Sequence, residues 1–141
     1  MNHGAPLSVP RVLFVCVENS CRSQMAEAFA RKLGGGAVEA HSAGSRPSGV
    51  VNPKAIASLA AVGYDLATHG SKSLDEIPPG PYDAAITMGC GDACPNVPAR
   101  LREDWALPDP KHMQPREFDE VRDEIATRVA DLFDRLGVTR A

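Results

Sequence analysis

The chain has 141 residues, enough for one domain with an ordinary buried core and too few to require a second. Its 15 Lys and Arg against 18 Asp and Glu leave a net charge of −3 with no basic run, which argues against nucleic acid or an anionic membrane surface as a partner. No run of about 18 apolar residues is present. Met1 to Pro10 hold two prolines, a glycine and no apolar stretch of signal-peptide length. Residues 1–10 therefore read as a flexible lead-in and 11–141 as a single domain, with a cytoplasmic, monomeric protein as the expectation.

The first element is an apolar run of four, Val12 to Val15, too short for a helix and rich in β-branched residues. It reads as a buried strand that delivers Cys16 at its end. From Arg22 onwards Met25, Ala26, Ala28, Phe29, Ala30 and Leu33 recur at helical spacing until Gly34, Gly35 and Gly36 stop them. Ala37 to His41 alternates as a second strand would and runs into a small turn, Ser42-Ala43-Gly44. Residues 45–51 read as loop. Asn52 and Pro53 then cap a helix with Ala55, Ile56, Leu59, Ala60 and Val62 on its apolar face, ended by Gly63.

Asp65 to His69 reads as a connection, and Ser73 with Glu76 has the capping pattern of a short helix cut off by Pro78 and Pro79. Tyr82 to Met88 is another strand, and Gly89 opens a loop that carries Cys90 and Cys94. Residues 95–115, rich in proline and charge, read as irregular, with a short strand near Trp105. From Pro115 or Arg116 to Leu136, the stripe Phe118, Val121, Ile125, Val129, Leu132, Phe133 and Leu136 marks a last helix, closed by Gly137. This β-α alternation predicts a flavodoxin-like three-layer α/β/α sandwich with a four-stranded parallel sheet. Ligands of such sheets sit at the C-terminal ends of the strands, where the Cys16 loop falls.

That loop carries the chemistry. A turn from a strand into a helix N-terminus aims backbone N–H groups at one point and favours negative charge there. Here the groups are those of Val17, Glu18, Asn19, Ser20, Cys21, Arg22 and Ser23. A thiol at their focus is stabilised as thiolate by those donors and by Arg22, which lowers it from the ordinary value of ~8.5. Ser23 can donate a hydroxyl to the sulfur, and the planar fork of Arg22 can clamp two oxygens of a tetrahedral anion. Asn19 can hold the loop's shape through its side-chain amide. The plainer alternative, two small buried cysteines in a β-α turn, leaves the Arg-Ser pair at this spacing unexplained.

Four cysteines without a secretion signal read as reduced thiols, metal ligands or redox participants. Cys16 and Cys21, and Cys90 and Cys94, are spaced more loosely than zinc knuckles, and Cys16 ends a buried strand and not a hairpin. His41, His69 and His112 do not form metal-ligand spacings. No metal site is predicted. Trp105 reads as a packing residue.

The segment Cys16-Val-Glu-Asn-Ser-Cys-Arg-Ser23, continued by Gln24-Met-Ala-Glu27, resembles the phosphate-binding loop of the low-molecular-weight tyrosine phosphatase fold, in the form used by thiol-coupled arsenate reductases. Ser42-Ala-Gly44, Val51 to Ile56, Cys90 and Cys94, Asp109-Pro110, and Val121 to Ile125 extend the resemblance along residues 11–136. It implies strand order 2-1-3-4. It also implies a relay in which Cys16 attacks arsenate, Cys90 attacks Cys16 and releases arsenite, and Cys94 leaves a Cys90–Cys94 disulfide for thioredoxin. The pair's spacing is shorter than in the best-known thioredoxin-coupled members, and a glutaredoxin-like protein or a glutathione- or mycothiol-type thiol is the other source of electrons. No tightly bound cofactor is implied, and phosphate or sulfate would mimic arsenate in the loop.

Asp109 matches the family's general acid. Lys111, His112 and Met113 follow it where a tyrosine phosphatase would carry tyrosines, which favours arsenate over a phosphotyrosine. Some relatives hold potassium behind the loop with ligands matching Asn19, Glu27 and Ser42. The fourth matching position is Lys72, a cation, so the lysine ammonium is expected beside Glu27 in the ion's place. Two other readings stay open: a low-molecular-weight phosphatase, and a non-catalytic redox-sensing or zinc-binding protein.

Overall fold

The β-branched run near the start of the chain occupies the middle of a sheet. In the computed structural model, which describes residues 9–89 and 97–138, strand β1 spans Arg11–Cys16. Val12 to Val15 are fully buried. A strand covered on both faces is apolar without alternation, which is why these four residues lacked a two-residue period. β2 (Glu39–Gly44) pairs with one side of β1 and β3 (Tyr82–Thr87) with the other, and β4 (Ala99–Asp104) lies beyond β3. All pairings are parallel, in the order β2-β1-β3-β4 that the family resemblance implied.

The register levels the C-terminal ends of the strands. Cys16 stands opposite Gly44, Val15 opposite Thr87, and Thr87 opposite Asp104. The loops after the four strands therefore leave the sheet from one edge, the edge at which open parallel sheets bind ligands.

Helices α1 (Arg22–Gly34), α2 (Pro53–Ala60) and α3 (Pro115–Leu136) pack over the face that carries Val12 and Phe14. On α3, Phe118, Val121, Ile125, Val129, Leu132 and Phe133 are buried at the predicted spacing. Each such side chain contributes at most roughly 1.5–3 kcal/mol through apolar burial. α2 starts as its sequence foretold, with Pro53 in the first turn and the Asn52 side-chain oxygen accepting from the Lys54 N–H at 2.8 Å. The opposite face of the sheet, with Leu13, Val15, Ala43 and Tyr82, is covered by Leu74, Ile77, Val97 and Ala99. Among the described residues no helix is long and apolar enough to cross a membrane.

Three elements differ from the expectation. The last strand ends just before Trp105, and its residues alternate between half-buried and exposed. An edge strand has little apolar pattern to show when charges occupy its outer positions, as Arg100, Arg102 and Asp104 do. Trp105 itself is buried, its ring centroid 5.9 Å from that of Phe14. β2 runs through Ser42-Ala43-Gly44, which read as a turn because all three are small. Their size answers to what lies against them: a Cβ on Gly44 would stand 2.4 Å from the Val17 carbonyl oxygen and 3.0 Å from the Asn19 nitrogen. The short helix at Ser73 is a single 3-10 turn, Leu74–Glu76, with the Ser73 N–H donating to the Glu76 carboxylate at 2.7 Å.

Candidate active site

The loop between β1 and α1 is shaped by what happens to its carbonyls. Those of Cys16, Val17, Glu18 and Ser20 accept from the backbone N–H groups of Ser45 (3.3 Å), Arg46 (2.8 Å), Ser48 (3.0 Å) and Asn52 (3.0 Å). The Asn19 carbonyl accepts from the Gln24 side chain at 3.1 Å, and that of Cys21 from the Met25 N–H at 2.9 Å. Every carbonyl from Cys16 to Cys21 is thereby engaged by protein donors. Among the described residues, the N–H groups of residues 17–23 make no hydrogen bond to protein. They are the donors left for an anion.

Asn19 organises the interior of the loop. It is fully buried and has φ of 51°, the left-handed conformation that asparagine tolerates better than most residues. Its Nδ2 donates to Ser23 Oγ at 2.9 Å and to Ser42 Oγ at 3.0 Å, while Oδ1 accepts from Gln24 Nε2 and from the Lys72 N–H, both at 2.8 Å. Ser23 Oγ lies 2.8 Å from Cys16 Sγ. With Cys16 as a thiolate, the Ser23 hydroxyl, whose oxygen accepts from Asn19, is the donor to the sulfur.

Ser42 passes its proton the other way, donating to Glu27 Oε1 at 2.5 Å. Glu27 is only 3% exposed, and a buried carboxylate needs compensation. Arg31 supplies it from 2.7 Å, and the Lys72 ammonium lies 3.8 Å away, beside Glu27 as expected from sequence.

Arg22 does more than face the loop. Its Nη1 donates to the carbonyls of Met88 (2.6 Å) and Leu107 (2.8 Å), the residues just past β3 and β4. One nitrogen thus ties three strand ends together, and Nε and Nη2 remain on the other prong of the fork. Gly89, with φ of 79°, passes so close that a Cβ there would sit 3.2 Å from Arg22 Nη1. Asp109 caps its own turn, accepting from the Lys111 N–H at 3.1 Å, with Oδ2 3.9 Å from Arg22 Nη2. The loop from Cys16 to Arg22 and Asp109 enclose a cleft of about 90 Å³. Across its rim Lys111 Nζ donates to both carboxylate oxygens of Glu18, at 3.1 and 3.0 Å. That hydrogen bond and charge hold the ammonium above its usual range.

A family model described as low molecular weight phosphotyrosine protein phosphatase matches residues 11–140. The chain belongs to this family. The glutaredoxin arsenate reductase of Synechocystis sp. is 39% identical over 130 residues, which cover 90% of this chain and 98% of that protein. A solved arsenate reductase in its phosphate-binding state superimposes with a TM-score of 0.81 at 38% identity, over 90% of this chain and 98% of its own. A thioredoxin-dependent arsenate reductase of Corynebacterium glutamicum gives a TM-score of 0.74 at 34% identity, over 92% of this chain and 62% of its own. These matches bear out the resemblance to arsenate-reducing members of the phosphatase fold.

Within this phosphatase-family loop the two cysteines are not equivalent. Cys21 is buried, and burial, only partly offset by its Ser20 hydrogen bond, pushes its thiol up to about 11. At neutral pH it is a thiol. Cys16 faces the Ser23 hydroxyl and the convergent N–H groups. Cys90 and Cys94 lie in the segment 90–96, outside the described residues.

Sequence reasoning weighed His69 only as a metal ligand and gave Gln24 and Tyr64 no role of their own, yet the three form a second tier behind Asn19. The Gln24 amide nitrogen donates to the Asn19 and Gly70 carbonyls, so its Oε1 accepts from His69 Nδ1 at 2.9 Å. His69 Nε2 lies 2.6 Å from the Tyr64 hydroxyl, from which a neutral ring with its proton on Nδ1 accepts. Burial lowers the pKa of His69 below the ordinary 6.5, against the pull of Glu27 and with the push of Arg31 and Lys72. A histidine depressed in this way stabilises the fold fully above its unfolded value and stops doing so as pH falls through the folded value. His69→Gln should therefore be less stable than the native protein at neutral pH but lose less stability on acidification. Denaturant unfolding at a series of pH values below neutrality checks this; parallel curves would refute it.

Proposed function

We propose that this protein reduces arsenate to arsenite through a thiol relay that starts at Cys16. The reading is carried by one observation: a thiol beneath unengaged backbone donors, with the Ser23 hydroxyl on its sulfur and the Arg22 fork at its side. Arsenate and phosphate share a tetrahedral, dianionic shape, so the cradle suits both. The two part only after the thiolate has attacked, when the covalent adduct is either hydrolysed or cleaved by a second thiol. The relatives' names, and a cysteine pair, Cys90 and Cys94, that follows Gly89 in the sequence, support reduction.

In this mechanism the Cys16 thiolate attacks arsenic(V), forming a sulfur–arsenic bond as one oxygen leaves as water. Asp109, which lines the cleft, hands over the proton in this reading. The Cys90 thiolate attacks the Cys16 sulfur: a disulfide forms, the sulfur–arsenic bond breaks, and its electron pair stays on arsenic, which departs as arsenite. Cys94 attacks Cys90 and frees the Cys16 thiolate. An external dithiol of the thioredoxin or glutaredoxin type reduces the remaining disulfide, and a glutathione- or mycothiol-type thiol is the other candidate. The runner-up is hydrolysis of a phosphate ester by the same loop.

The deciding assay is arsenate-dependent NADPH oxidation by the full chain, coupled in one series to thioredoxin and its reductase and in another to glutathione, glutaredoxin and glutathione reductase. Turnover in either series supports reduction and identifies the reductant class. Turnover in neither, alongside hydrolysis of an aryl phosphate, would establish the phosphatase instead.

A further inference from the structure

An acidic side chain at an anion site calls for a reason. Glu18 lines the cleft and, alone, would repel a dianion. Its carboxylate is instead held by the Lys111 ammonium, 3.0 Å away, on the segment just after Asp109. The pair joins the Glu18 side of the cleft to the segment that follows Asp109, and both backbones are held. The Glu18 carbonyl accepts from the Ser48 N–H at 3.0 Å and from Ser71 Oγ at 3.1 Å. The Lys111 N–H donates to Asp109, and the Lys111 and Met113 carbonyls accept from Lys54 Nζ at 3.0 and 3.2 Å. Two partly exposed side chains thus meet across the rim from backbones that are each held in place.

A cleft of about 90 Å³ has room for a tetrahedral oxyanion, and a ring attached to it would extend to the rim. An ester's organic group would have to leave through the rim, between Glu18 and Asp109. We propose that the Glu18–Lys111 ion pair is a specificity bar that favours free tetrahedral oxyanions over those carrying an aryl substituent. Its net neutrality lets the bar stand beside a dianion without repelling it. The inference rests on the reading of the cleft as an oxyanion site and supplies the substrate preference of that site: the inorganic anion ahead of its esters.

The test is calorimetric titration of the reduced full chain with inorganic phosphate and with phenylphosphonate, a non-hydrolysable aryl analogue, at a mildly alkaline pH where both are dianions. Neither titration needs turnover, so the result does not depend on whether arsenate is reduced. In the native protein phosphate should bind more tightly. Lys111→Ala and Glu18→Ala should move phosphate affinity in opposite directions, the first weakening and the second strengthening it, because one removes a positive and the other a negative charge. Both should shift the ratio of the two affinities the same way, towards phenylphosphonate, by about tenfold. The charge-reversed double variant, Glu18→Lys with Lys111→Glu, should return the ratio to its native value. A ratio unchanged in both single variants, with phosphate still bound, overturns the bar and leaves the cleft reading standing. Absence of phosphate binding in the native protein overturns both.

Discussion

Cys16→Ser is expected to abolish turnover, by at least about four orders of magnitude, for arsenate and for an aryl phosphate alike, because the other thiol lining the cleft, Cys21, is kept protonated by burial. Cys21→Ser, one loop position before Arg22, should leave both activities within about threefold of native. The contrast comes from their surroundings. The Cys21 thiol, pushed up to about 11 by burial, exists as thiolate in only about one molecule in ten thousand at neutral pH, and Ser20 already engages its sulfur. Cys90→Ser and Cys94→Ser complete the series. If the relay is internal, each stops multiple turnover of arsenate and spares aryl phosphate hydrolysis. Steady-state NADPH oxidation and arsenite release in a single turnover report the two halves of the cycle separately. Loss of activity in Cys21→Ser with retention in Cys16→Ser would reverse the assignment of the nucleophile.

Asn19→Ala should be the most damaging change that leaves every reacting atom in place. Alanine at φ of 51° is strained by roughly 1–2 kcal/mol. The substitution also removes donors from Ser23 and Ser42 and acceptors from Gln24 and the Lys72 N–H, all inside the protein. Together these losses should lower stability by about 3–5 kcal/mol and kcat/KM by about a hundredfold or more. Two companions divide the effect. Asn19→Gly relieves the backbone and keeps the other losses, so it should recover about 1 kcal/mol. Asn19→Asp keeps the two acceptor contacts but presents a carboxylate to Ser23, whose proton would turn from the Cys16 sulfur. It should lose activity out of proportion to stability. Denaturant unfolding and kcat/KM, measured on the same preparations, separate the two. An alanine variant of native stability would refute the claim that Asn19 carries the loop.

What the sequence disclosed and what it concealed divide along a physical line. Cys16, Arg22 and Ser23 were legible because the geometry they need is local: a strand end, a short loop and a helix start, all within a dozen residues. α3 was legible because burial on one side of a helix leaves a period. β4 was placed only roughly, as a short strand near Trp105, because a charged edge strand does not. Ser42-Ala43-Gly44 looked like a turn because nothing in three small residues says that another segment presses on them. His69, Gln24 and Lys111 acquire their roles only from partners that lie far along the chain, His69 being 45 residues from Gln24 and Lys111 93 from Glu18. No local pattern announces such a contact.

The hold of residues 45–52 on the loop's carbonyls has a consequence for how the site comes into being. The signature is written in eight consecutive residues, yet its conformation is imposed by a strand end, a connecting segment and the Gly70 to Lys72 stretch, all of which arrive later in the sequence. A peptide cut from the first third of the protein would carry the motif without its pocket. During folding, oxyanion affinity can arise only after the β1–β2 crossover has closed, since contacts between distant segments form at the cost of loop closure. Anything that binds there selects the finished molecule over its precursors and stabilises it by mass action. The anion is in that sense the last part of the fold.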